Sequence, residues 1–292
     1  MERISATTAD GVTLVLRRFS APVPRRAVCL CTHAMMANGS YFSVGDDDGF
    51  AGHLARAGVE TYVLDFRGHG ESKPPHPERD RWCFDDYVEL DLPAAIGAVC
   101  ESADISVDEL VFLGHSLGGN VGLAAFGTGT VPPPQRMALW ATSLWLPGPK
   151  GSARRRLFME IYRQSARLLG YAPIRRMRMG SDNEPRDYVD QLTGWARTGM
   201  WTSRTGIDYL AHIGNIDVPV WAVTGDGDRL CLPTDAMVMV SRLRGALPLR
   251  RVGVSRGDAL DADHFKLFTK STLAPLWDEM VAFATGGDHE PV

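Results

Sequence analysis

Apolar and polar positions alternate with a period of two over residues 2–8 and 12–19, on either side of Asp10-Gly11. That pattern predicts an antiparallel hairpin with one buried face and a turn at the glycine. The next apolar stretch, AVCLCT at 27–32, does not alternate. A continuous apolar run bounded by polar residues predicts a strand covered on both faces. Residues 50–57 carry helical spacing that Gly58 stops, and VETYVL at 59–64 predicts the following strand. A long helical pattern follows over 84–100, at Phe84, Tyr87, Val88, Leu92, Ala95, Ile96 and Val99. Pro93 lies inside it and predicts a bend or a late helix start. Strands are expected at 109–113 and 136–141, with a helix of small residues between them at 117–126.

This rhythm breaks after Ala141. Residues 142–211 show helical patterns and no convincing strand. Alternation resumes with VPVWAVT at 218–224, a helix near 233–243, a strand at 248–254 and a last helix. That helix carries a stripe at Leu273, Leu276, Trp277, Met280, Val281 and Ala284. Strand–helix alternation predicts an α/β fold, a mostly parallel central sheet flanked by helices. The expected organisation is a core of residues 1–141 and 212–292 with an inserted helical cap, or lid, at 142–211. DHEPV at the end reads as a frayed tail.

Composition narrows the function classes. The 292 residues are 45% hydrophobic, enough for a core without staples. The net charge is −4, which excludes a strongly basic nucleic-acid binder. Five scattered cysteines contain no CxxC pair, so neither a zinc site nor a disulfide framework is expected. No metal or cofactor is anticipated. The first residues carry no basic flank or apolar stretch, and no run approaches the roughly 20 residues of a membrane span. A cytoplasmic protein with no stable membrane insertion is the expectation.

Chemistry concentrates in Gly114-His115-Ser116-Leu117-Gly118-Gly119. This G-x-S-x-G follows a predicted strand and opens a predicted helix, the context the motif requires. The turn lifts the Ser116 oxygen above the sheet at a helix N-terminus, where developing negative charge is favoured. A serine hydroxyl needs a base. Of eight histidines, His264 lies in the loop after the last strand, returning to the strand ends where Ser116 sits. The imidazole in turn needs a carboxylate. Asp226 and Asp228, in Thr224-Gly225-Asp226-Gly227-Asp228, sit in a loop at the same sheet end, and spacing alone does not separate them.

With these motifs the chain resembles the α/β-hydrolase superfamily over nearly its whole length. The resemblance implies the α/β-hydrolase fold and selects Asp228, through the family's G-x-x-D, as the third member of a triad with Ser116 and His264. Thr32-His33-Ala34-Met35-Met36 is similar to the family's His-Gly-x loop, with Ala34 in place of the usual glycine. It implies oxyanion donors at the backbone N–H groups of Met35 and Leu117. Asp65-Phe66-Arg67-Gly68-His69-Gly70-Glu71-Ser72 resembles a structural loop of the family. A serine nucleophile implies an acyl-enzyme, and hence cleavage of a carboxylic ester of a small-molecule acyl substrate. A thioesterase, lactonase or acyltransferase with the same triad is the alternative, or a ligand-binding protein of the same fold. The aromatic and Met-rich cap is expected to line the acyl pocket, with His33, Met36, Trp145, Trp195 and Trp201 as candidates. The cap holds eleven Arg and one Lys against six acids. Arg154–Arg156 and Arg175–Arg178 are expected to face solvent.

Overall fold

The hairpin forms as its alternation requires. β1 (Glu2–Thr7) and β2 (Thr13–Phe19) pair antiparallel, Ile4 opposite Leu16 and Ala6 opposite Leu14. The structure is a computed structural model that describes residues 1–44, 48–146 and 153–287, with Arg154 described by its backbone only. β3 (Ala27–Thr32), α1 (Gly49–Arg56) and β4 (Val59–Asp65) follow. Then a short α2 (Phe84–Asp86) runs through a π-turn at Tyr87–Asp91 into α3 (Leu92–Ala103). Leu92 N–H donates to Tyr87 O five residues back. The predicted bend is this π-turn. It leaves Pro93, which has no N–H to give, in the first turn of α3, where none is needed.

β5 (Leu110–His115), α4 (Leu117–Thr128) and β6 (Arg136–Trp140) complete the first half. The segment between β6 and the next sheet strand carries α5 (Ala153–Leu169), α6 (Ile174–Met177), α7 (Arg186–Thr198) and α8 (Tyr209–His212). Between α5 and α7 it also holds a two-residue pair, β7 (Tyr171–Ala172) with β8 (Glu184–Pro185). The sequence gives no sign of this pair. Two residues are too few to show alternation, and one of the four is a proline, which pairing tolerates only at an edge. β9 (Val220–Gly225), α9 (Pro233–Val240), β10 (Arg250–Val252), α10 (Lys266–Thr269) and α11 (Ala274–Thr285) end the chain. Asp46, Asp47 and the DHEPV tail lie outside the described residues.

The eight sheet strands lie in the order β1-β2-β4-β3-β5-β6-β9-β10. β1 and β2 are antiparallel to their neighbours and the rest are parallel. β4, β5 and β9 are buried at every position, as the apolar runs of β5 and β9 require, and β4 also buries Glu60 and Asp65, each paired with an arginine of β2. Side-chain alternation sends Leu30, Leu64 and Phe112 into one layer with Leu92, Ile96 and Val121 of α3 and α4. Cys29, Cys31, Val63, Val111 and Leu113 enter the other, against Phe50, Leu54, Trp277 and Met280 of α1 and α11. This is the three-layer architecture of the α/β-hydrolase fold. No described helix is long and apolar enough to cross a membrane.

Two buried arginines fasten the antiparallel edge. Arg67 donates to Asp91 on one side and to Asp10 of the hairpin turn on the other. Arg17 donates to Asp65 Oδ1 at 2.9 Å, and both side chains are buried. Asp65 also accepts from the N–H groups of Gly39 and Glu71. Replacing Asp65 with Ala strands the Arg17 cation and two N–H groups. Urea denaturation should then show a loss of about 3–5 kcal/mol; a loss under about 1 kcal/mol would contradict this account.

Candidate active site

β5 leads directly into α4, and the residue between them, Ser116, takes φ 53 and ψ −111. Such a conformation costs a non-glycine residue about 1–3 kcal/mol and persists only when its surroundings hold it. Here they do. Ser116 N–H donates to Trp140 O, and Gly118 N–H to His33 O, both at 3.1 Å. A Cβ on Gly118 would stand 2.3 Å from Thr32 Oγ1, and one on Gly119 2.1 Å from Thr142 Oγ1. One on Gly114 would stand 2.3 Å from Gly119 Cα. All three glycines are thus demanded by close approach of neighbouring chain.

The loop after β9 brings Asp228, and the loop after β10 brings His264, to the same sheet edge. His264 Nδ1 donates to Asp228 Oδ2 at 2.7 Å. The other oxygen of Asp228 accepts from Leu230 N–H at 2.7 Å and Cys231 N–H at 3.0 Å. That carboxylate is 2% exposed, so it is fixed on both oxygens before any substrate arrives. Asp226 is turned away and pairs with Arg251. Geometry therefore separates the two acids that spacing leaves equivalent. His264 Nε2 remains for a partner in the cavity, whose wall His264 shares with Ser116.

The β3 loop and the start of α4 each supply one N–H group. Among the described residues, neither Met35 N–H nor Leu117 N–H has an acceptor, and both residues line the cavity. The loop is tied from behind. Phe66 N–H donates to His33 Nε2, so the His33 proton sits on Nδ1 and is given to Ala34 O at 2.8 Å. Burial, with His69 nearby, pushes His33 down to about 3, so the ring stays neutral. Ala34 N–H donates to Tyr41 Oη, and that hydroxyl bonds His115 Nδ1 at 2.6 Å. Burial, reinforced by His264, holds His115 well below the usual histidine range, so the ring stays neutral.

The cavity holds about 460 Å³. Its walls come from the β3 loop, from Ser143–Leu146 after β6, from Phe158, Met159 and Tyr162 of α5 and from Tyr188, Leu192 and Trp195 of α7. Met36, Trp145 and Trp195 are among them. His33 and Trp201 are not, which corrects two expectations. His33 is a fully buried strut. Trp201 lies behind Trp195, packed on Phe84 and Tyr209. Arg155 is a third correction, since it does not simply face solvent. It pairs with Asp235 at 2.9 Å and stacks on Trp145, Cζ 4.6 Å from the ring centre. Arg175, Arg176 and Arg178 are exposed as expected. Sequence reasoning missed Tyr41 and Glu184. Neither belongs to a recognisable motif, and both bond the β3 loop only through the tertiary fold.

A strained serine above a mostly parallel sheet, sharing a cavity with a histidine bonded to a buried aspartate, is the arrangement of an α/β hydrolase. The chain belongs to the hydrolase family described as serine aminopeptidase S33, whose model matches residues 24–247. It is 29% identical over 140 residues to mouse lipase member N, covering 44% of this chain and 34% of that protein. The human lipase member N matches over the same length at 29%. The chain thus spans about a third of the curated relatives it matches. Among solved structures, the esterase EaEST of Exiguobacterium antarcticum superposes with a TM-score of 0.66 at 15% identity, covering 97% of this chain and 99% of that one. The enol-lactonase of Burkholderia xenovorans LB400 superposes at 0.61 and 15% identity, covering 97% and 100%. These likenesses show a shared fold.

Two outcomes follow from this geometry. Gly118→Ala forces its methyl group into Thr32 and should cost about 1–3 kcal/mol in urea denaturation, with a loss of activity as the turn shifts. An unchanged midpoint would contradict the contact. Arg155→Glu removes the cation from Trp145 and sets a carboxylate beside Asp235. Turnover of bulky esters should fall more than that of acetyl esters, measured as kcat/KM, whereas equal kcat/KM changes would detach Trp145 from the pocket.

Proposed function

We propose that this protein is a serine hydrolase that cleaves a carboxylic ester with an apolar acyl or alcohol part. The observation that carries the proposal is the shared wall. Ser116 and His264 border one cavity, and His264 is hydrogen-bonded to a buried Asp228.

In this reading Ser116 Oγ attacks the ester carbonyl carbon while His264 Nε2 takes its proton. Asp228 holds the Nδ1 proton and stabilises the imidazolium as it forms. The carbonyl oxygen becomes an oxyanion and receives the N–H groups of Met35 and Leu117, at the positive end of α4. Collapse breaks the ester C–O bond, and His264 returns the proton to the departing alcohol. A water, deprotonated by His264, then attacks the acyl-enzyme; the acid leaves and Ser116 recovers its proton. Thioesters and lactones present the same carbonyl to the same groups.

Substrate class is argued from the cavity. An aminopeptidase has to hold an ammonium group, which calls for a carboxylate near the scissile bond. The described lining contains no Asp, Glu, Lys or Arg; it is made of Met, Leu, aromatic and small polar residues. Such a wall favours a neutral apolar substrate. The β6–β9 segment supplies much of it, which supports reading 142–211 as a cap that excludes water and selects the acyl chain.

A screen of p-nitrophenyl esters of rising chain length, beside aminoacyl-p-nitroanilides, tests the class; turnover of the anilides alone would reject it. Ser116→Ala should lower kcat by ~10⁶ with the fold intact. Asp228→Asn should cost about 10⁴ in kcat, and Asp226→Asn little. A Ser116→Ala protein that keeps a tenth of the wild-type rate, or a wild-type protein that a fluorophosphonate does not label at Ser116, would sink the mechanism.

A further inference from the structure

Met36, next to the proposed oxyanion donor, is a non-glycine residue at φ 60. Both polar groups of its backbone are held by one stretch of the β6–β9 segment. Its N–H donates to Glu184 Oε1 at 2.5 Å, and its C=O accepts from Ser181 N–H at 2.9 Å and Asp182 N–H at 3.3 Å. Asn38, two residues on, donates to Ser181 and Asp182 as well. The stretch lies so close that a Cβ on Gly180 would stand 2.0 Å from Met36 O.

Glu184 is an unusual anchor. It is fully buried on β8, and its second oxygen lies 3.4 Å from Nε2 of the equally buried His69, an ion pair too poorly aligned for a hydrogen bond. Burial alone would lower His69, but the Glu184 carboxylate, with Asp182 and the Arg67 carbonyl, outweighs it and pushes the ring up to about 9. His69 is held in turn by Nδ1, which donates to Arg67 O at 2.9 Å. An ion pair with no solvent on either side keeps the carboxylate in one place.

We propose that Glu184 is a positioning residue for the oxyanion site: it locks Met36 in its left-handed conformation and thereby aims the Met35 N–H at the reacting carbonyl oxygen. The geometry is direct. Met35 N–H belongs to the peptide unit whose C=O, that of Ala34, is pinned by His33 Nδ1. A trans peptide points its N–H away from its C=O, so this end of the unit is set. The next peptide unit ends in Met36 N–H, and Glu184 pins that. Without it, Met36 relaxes toward negative φ, as a side chain with a Cβ prefers, and Met35 turns with it. Because Glu184 belongs to the proposed cap, the oxyanion site is complete only when that segment is seated.

This inference rests on the serine-hydrolase reading, and the experiment separates the two. Wild type, Glu184→Ala, Glu184→Gln and Ser116→Ala are compared on one p-nitrophenyl ester and with an alkylboronic acid, whose tetrahedral serine adduct places an oxygen in the oxyanion site. Removing one oxyanion donor costs about 10²–10³ in kcat, so Glu184→Ala should lose about 10² in kcat. KM should stay near the wild-type value, and boronate affinity should fall in step with kcat. Glu184→Gln keeps a carbonyl acceptor for Met36 N–H and should stay within about tenfold of wild type. In the Glu184→Ala background, Met36→Gly should restore part of kcat, since glycine holds positive φ without help. A wild-type kcat in Glu184→Ala overturns the proposal, as do equal losses in the Ala and Gln variants, or a rise in KM with kcat and boronate affinity preserved. If Glu184→Ala does not fold, Glu184→Met, of similar volume and without an acceptor, takes its place; failure of both to fold makes Glu184 a core residue and overturns the proposal too. Turnover persisting in Ser116→Ala would defeat the serine-hydrolase reading itself. An inactive Ser116→Ala beside an unimpaired Glu184→Ala would defeat this inference alone.

Discussion

The turn from β5 into α4 has room for no side chain at three positions, and the architecture around the site depends on that close contact. Gly118 lies against Thr32, and Gly119 against Thr142. The end of β3, the start of α4 and the first residues after β6 therefore meet at backbone distance. The same contact lets Gly118 N–H reach His33 O, which ties the β3 loop to the helix start. Strain in the Ser116 backbone is held by this packing. A well-packed interior transmits displacement instead of absorbing it, so a shift in one of these segments moves the others.

Around that contact the structure sorts its histidines by charge. His33 lies beside His69 and His115 beside His264, and burial above all holds both neutral. Their ring nitrogens then act as fixed donors and acceptors, to Ala34 O, Phe66 N–H and the Tyr41 hydroxyl. His69 is as deeply buried but faces Glu184, and it is held on the charged side. His264 alone among these borders the cavity while bonded to a carboxylate. A single residue type is thus given different duties by what lies within hydrogen-bond reach.

The sheet and its order of elements were legible because buried parallel strands carry unbroken apolar runs and Gly114–Gly119 marks the turn unambiguously. The Ser116–Asp228–His264 cluster was legible only as three loops at one sheet edge, and the choice between Asp226 and Asp228 needed either a family resemblance or the coordinates. What could not be read has a common physical character. Trp201 and Trp195 are both cap aromatics in sequence, yet one lines the cavity and the other backs it, a difference of depth with no local signal. Glu184, in Asn183-Glu184-Pro185-Arg186, has the composition of an exposed turn and is fully buried. Arg155 sits in an arginine run and stacks on Trp145 all the same. Partners distant in sequence set each of these.

The strand order also has a consequence in time. β1 to β6 are contiguous in the chain and lie side by side, whereas β9 and β10 are added at one edge after the long β6–β9 segment. A ribosome releasing the chain from its N-terminus delivers the strained serine while the loops bearing Asp228 and His264 are still unmade. In the proposed mechanism the nascent protein therefore carries a nucleophile that has no base. Reactivity would then arrive with the loop after β10, among the last parts of the core to emerge, and a chain interrupted before it would be chemically quiet.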